Sequence, residues 1–129
     1  IDVIADYTKG AVGTGDLIDH GSVLAIGGSA AAASANEASI DATTGVATFD
    51  IGSGTTLDDA LADIATRFTA ATDTAGEFAF FQIGAAGNYH MFISDGTAGV
   101  TANDVVVQLS GITTINTIDL TGGNLTILT

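Results

Sequence analysis

Aspartate carries most of the chemistry this chain can do. Thirteen of its fifteen acidic residues are Asp, and three clusters sit where tight turns would gather oxygens. These are Asp2 with Asp6, Asp16 with Asp19, and Asp95 with the turn after it and Asn103-Asp104. Calcium takes about six to eight oxygens from carboxylates, turn carbonyls and water, and short Asp stems around turns supply them well. The same residues also make Asx turns with no ion bound. At any single cluster the two readings are balanced, and the charge of the whole chain tilts the set toward at least one calcium site.

Other chemistries find less support. Asp58 and Asp59 are adjacent, and adjacent positions on a helix point apart, so they make a poor general acid and base pair. His20 and His90 are distant in sequence and no Cys accompanies them. Zinc needs three protein ligands or more, so each His reads as a partly buried, satisfied side chain. Gly13-Thr14-Gly15 and Gly52-Ser53-Gly54 are too short to cradle a phosphate, and no nucleophile elbow, P-loop or HExxH pattern is present. Asn124-Leu125-Thr126 fits a glycosylation triplet, a match that arises easily by chance. Nothing here points to an enzyme.

The two basic residues are Lys9 and Arg67, which leaves a formal charge of -13 on 129 residues. Yet 47% of the residues are hydrophobic and the mean hydropathy is +0.47, too apolar for a disordered acidic tail. Such a surface repels itself, so divalent cations or a partner should neutralise part of it. Nucleic acid is an unsuitable partner, because two cations make no basic patch. No apolar run is long enough to cross a bilayer as a helix, so membrane insertion is not expected. The absence of Cys rules out a disulfide framework. The length suits one domain with one core. The chain starts at Ile1, mid-pattern, and is expected to be a fragment or processed piece of something longer.

These residues must be held by a mainly β fold, with one helix. Leu57, Leu61, Ile64, Ala65 and Phe68 recur at helical spacing, which predicts a helix over residues 56–69 packed on a sheet. Thr55 or Thr56 caps it, with Asp58 or Asp59 at the capping-box spacing. Asp59, Asp63 and Arg67 then fall on a solvated face. Short strands are expected at 22–28, on either side of Thr44-Gly45 as a hairpin, at 77–83, 89–94 and 105–109, and around 115–120 and 125–128. The 77–83 strand is aromatic on both faces and so central. Residues 30–39, rich in Ala and Ser, are ambiguous between loop and weak helix. The architecture expected is a β-sandwich or β-roll-like sheet with this one amphipathic helix packed against it.

The opening DVIADYTKGAVGTGDLIDHGS resembles the place where the nonapeptide calcium repeats of RTX proteins end. The helix TLDDALADIATRF, the aromatic hairpin EFAFFQIGAAGNYHMFISDG, DGTAGVTANDVVVQLSG and the terminal LTGGNLTIL resemble the carboxyl-terminal modules of type I secreted, S-layer-like bacterial surface proteins. The resemblance implies that residues 1–21 end a calcium-repeat-like segment and residues 22–129 form a β-rich module. It implies that Asp2 is the Asp of a last repeat, and that Asp6 and Asp16 are terminal calcium ligands. It also implies secretion to the cell surface with an export signal near the carboxyl end. No complete nonapeptide repeat is present, and residues 29–54 depart from the pattern. A non-enzymatic, calcium-stabilised surface module is the expectation. The alternative is a self-associating subunit of a filament or S-layer, joined through edge strands such as the terminal NLTILT.

Overall fold

The computed structural model describes residues 2–129. Ile1, and with it the reading of that residue as a processing point, lies outside the described residues. Aromatic and β-branched residues that alternate between two faces build the central strands. The main sheet has five strands in the order β1-β7-β6-β5-β2. Its members are β1 (Asp2–Ile4), β2 (Ala25–Ile26), β5 (Glu77–Phe81), β6 (Tyr89–Ile93) and β7 (Val105–Leu109). β5, β6 and β7 are antiparallel neighbours, with Phe80 opposite Met91 and Met91 opposite Val107. β1 and β2 flank them as parallel edges. Two small antiparallel pairs complete the strands: β3 (Ser39–Ile40) with β4 (Ala47–Thr48), and β8 (Ile118–Asp119) with β9 (Thr126–Ile127). The fold is thus a small mixed α/β one, mostly strands in several sheets with a single α-helix among the described residues.

Side-chain alternation splits the core into two clusters, one on each face of the sheet. Phe78, Phe80, Tyr89, Met91, Ile93 and Leu109 point to one face, where Tyr7, Leu24, Ile112, Ile115, Leu125 and Ile127 cover them. Ala79, Phe81 and Phe92 point to the other, where α1 (Leu57–Ala71) and the β3–β4 hairpin cover them. The predicted helix is there, two residues longer at its carboxyl end. Thr56 caps it, its hydroxyl accepting the Asp59 N–H at 3.2 Å, and the Asp59 carboxylate accepts the Thr55 N–H at 3.3 Å. Leu61, Ile64, Ala65 and Phe68 are buried, and Phe68 stacks on Phe92 with ring centroids 5.7 Å apart.

The other face of α1 corrects the sequence reading. Asp63 is only 4% exposed and Arg67 6%, so neither is on a solvated face. The small-residue stretch that follows β2 is not helical. It lies across α1, where the Ala38 N–H donates to the Asp63 carbonyl at 3.2 Å. Arg67 reaches into this strap and donates to the carbonyls of Ala38 (2.5 Å), Ala31 (3.2 Å) and Ala32 (3.0 Å). Gly27 lets the strap start here: a Cβ on it would stand 2.4 Å from the Phe68 ring.

Residues 2–21 join this core. Tyr7 is 7% exposed, Gly10 bridges to Leu128, and Ile18 bridges to Leu125. β9 is therefore paired on both sides, by β8 and by the early segment. The expectation of an exposed terminal strand is overturned. The chain's early turns occupy that edge, a long-range pairing with no local signal.

Candidate metal centre

Each Asp cluster is positioned by a turn beside a strand end. Asp95 begins the turn that follows β6 and Asp104 immediately precedes β7, so the β6–β7 pairing closes the loop between them. The Asp104 carboxylate accepts N–H groups of Asp95 at 2.8 Å and Thr101 at 2.6 Å. The Asp95 carboxylate accepts the Thr97 N–H at 2.8 Å and the Thr101 hydroxyl at 3.0 Å. These bonds, chiefly the Thr97 N–H, hold the Asp95 carboxyl below its ordinary range. The loop is an Asx turn in which all four carboxylate oxygens already have donors.

The other four sequence-predicted ligands regroup. Asp2 stands apart from Asp6; it shares with Asp104 an open groove floored by Leu57, Leu61 and Val106. Asp6 instead joins Asp16 and Asp19 around one open cleft of about 420 Å³, beside Tyr7 and Ile18. One Asp16 oxygen accepts the Thr8 N–H at 2.7 Å, and one Asp19 oxygen accepts the Gly21 N–H at 3.0 Å. Asp6 enters hydrogen bonding through its carbonyl, which accepts from the Thr8 hydroxyl at 3.3 Å. Among the described residues no group of three or more His, Cys, Asp and Glu side chains is placed to hold a metal ion. A calcium ion in this cleft would therefore take at most two carboxylates and complete its shell with carbonyl oxygens and water.

Tyr7 gives no ligand signal in the sequence, yet it borders the acidic cleft. Its hydroxyl donates to the Asp16 carbonyl at 2.8 Å and accepts the Ile127 N–H at 2.9 Å, so it ties the acidic turn to the last strand. Burial raises its phenol, and the nearby Asp16 charge adds to this against the opposing Ile127 bond. A second acidic pair also went unread: Asp73 accepts the Ser94 hydroxyl at 2.6 Å, and Glu77 is raised by burial and by the Asp73 charge. Their four-residue spacing lies outside any helix and gives no signal.

The histidines are buried or partly buried, but their ring nitrogens are not all satisfied. His90 stacks on Phe81 with centroids 5.2 Å apart, and its Nε2 lies 3.4 Å from the Gln108 amide nitrogen. Nδ1 of both His20 and His90 is buried without a partner. Burial lowers the His90 imidazole and keeps it neutral. Comparison with protein-family models, curated proteins and solved structures gives no match.

Proposed function

We propose that the chain is a non-enzymatic, calcium-stabilised carboxyl-terminal module of a secreted bacterial surface protein and carries a type I export signal. The observation that carries this reading is the cleft ringed by Asp6, Asp16 and Asp19, together with the engagement of both basic side chains elsewhere. Lys9 donates to the Thr114 carbonyl and hydroxyl, and Arg67 pairs with Glu37 under the strap. Among the described residues no side-chain cation pairs with these carboxylates. Self-repulsion then keeps the chain open where calcium is scarce, and metal binding drives folding where it is abundant. The β8–β9 pair over the face opposite α1 supports a sandwich- or roll-like description of the β part.

Thermal melts with calcium and with chelator at fixed ionic strength test this reading. Calcium at a hundredfold excess over its Kd stabilises by about 2.7 kcal/mol. The combined change Asp6→Asn, Asp16→Asn and Asp19→Asn removes that increment. An unchanged Tm on chelation overturns the proposal.

Self-association in a filament or surface layer is the second reading. The edge that supports it is β1 rather than β9: β1 pairs on one side only, with β7, and its Val3 is 57% exposed.

A further inference from the structure

The strap, residues 29–38, is a loop with a closed base. The Ile40 N–H donates to the Ser29 carbonyl at 2.9 Å, and Ser34 and Glu37 exchange backbone hydrogen bonds across its tip. Ala38 is its one buried residue, so the strap anchors little apolar surface, and such segments open at low cost. Gly28, just before it, has φ 68°, a hinge conformation that glycine takes without strain. What holds the strap down is polar: the Arg67 fork, the Ala38 N–H on the Asp63 carbonyl, and the Ser53 hydroxyl on the Ala35 carbonyl at 3.1 Å.

Ala60, Asp63 and Arg67 form a second buried stripe on α1. In it, Oδ2 of Asp63 is buried without a hydrogen-bond partner. A buried carboxylate is costly once charged unless a cation meets it. The cation is close in sequence: Asp63 and Arg67 stand four apart with the acid first, the order in which a helix pairs the two charges. Yet Nε, Nη1 and Nη2 of Arg67 all bond to the strap or to Glu37. Turning to Asp63 takes the fork off the strap.

The other charges around this stripe do not supply a counterion. Asp59, one turn earlier, adds like charge, and with burial it raises the Asp63 carboxyl. Asp41 and Asp50, in the β3–β4 hairpin and the loop after it, are exposed. His90, stacked on Phe81, is kept neutral by burial. We propose that the strap is a two-state lid, held shut by Arg67 while Asp63 is neutral and released when Asp63 ionises and draws Arg67 to itself. The lid is therefore closed in acid and opens as pH rises through the Asp63 titration. Neutralising Glu37 acts in the opposite sense, because it removes a partner of Arg67 in the closed state.

Amide hydrogen exchange on the full chain from about pH 4 to about pH 8, with intrinsic rates divided out, tests this. Protection of the Ala38 N–H is expected to fall several-fold as pH rises, in step with the Asp63 side-chain carboxyl shift followed by carbon NMR, while the amides of Tyr89–Ile93 keep theirs. Asp63→Asn should hold Ala38 protected across the whole range, and Glu37→Gln and His90→Gln should leave the response in place. Ala38 protection that stays constant in the wild type, that falls on acidification instead, that changes in step with Tyr89–Ile93, or that still varies with pH in Asp63→Asn overturns the proposal.

Discussion

The Arg67 guanidinium lies 3.1 Å from the Glu37 carboxylate, and the two side chains differ sharply in exposure, 7% against 26%. Glu37 stays within reach of water, whereas Arg67 spends its other N–H groups on three strap carbonyls. Arg67 is therefore the latch of the strap, and Glu37 only steadies it.

Arg67→Ala leaves those carbonyls without donors and should cost about 3 kcal/mol in denaturant unfolding. Arg67→Lys should recover little, because an ammonium cannot match the planar fork. Glu37→Gln should cost less than about 1 kcal/mol, as expected of a partly exposed pair. Equal stability of Arg67→Lys and the wild type would show that the strap is held by something else.

The buried stripe of α1 separates core from cap. Leu61→Ala should cost about 2–5 kcal/mol, with Phe68→Ala toward the top of that range. Thr56→Ala should cost about 1 kcal/mol through the lost cap. Asp59→Ala removes one long hydrogen bond and should cost less than either. Comparable losses at Leu61 and Asp59 would place the helix with the wrong face inward.

Two groups give the pH profile opposite signs. Burial lowers His90 from 6.5, so the unfolded chain takes up the proton first, and stability falls as pH drops from about 6.5 toward the folded value. Burial, and then the Asp59 charge, raises Asp63 above 3.8. Its protonated form contributes stability that is present below 3.8 and lost as pH rises through the folded value. His90→Gln should flatten the first slope, and Asp63→Asn should flatten the second and raise stability at neutral pH. Parallel profiles for wild type and both variants would refute this assignment.

Local patterns made much of the fold legible. The period of Leu57, Leu61, Ile64 and Phe68 marked the helix, and alternation through Tyr89–Ile93 and Val105–Leu109 marked the central strands. The strap was illegible because Ala and Ser carry no period, and its order comes from one guanidinium 29 residues away from Ala38. For the same reason the spacing rule took Arg67 and Asp63 as solvated: it knows which residues share a face, but not what covers that face. The Asp clusters were visible as turns. Their regrouping, with Asp6 beside Asp16 and Asp19 rather than Asp2, depends on β1 pairing with β7 across more than a hundred residues.

That pairing also decides where copies could join. Leu125 and Ile127 are 0% exposed, and the Ile127 N–H donates to Tyr7. Deleting Gly123–Thr129 should therefore unfold the sheet face opposite α1 and lower Tm steeply, without testing assembly at all. The β1 edge is open, and a charge there blocks strand addition at little cost to the fold. Val3→Lys should thus keep the wild-type Tm while abolishing any calcium-dependent polymer seen by light scattering. A polymer that persists in Val3→Lys would exclude this edge, and a wild type that stays monomeric in calcium at high concentration would exclude assembly and leave the lone module.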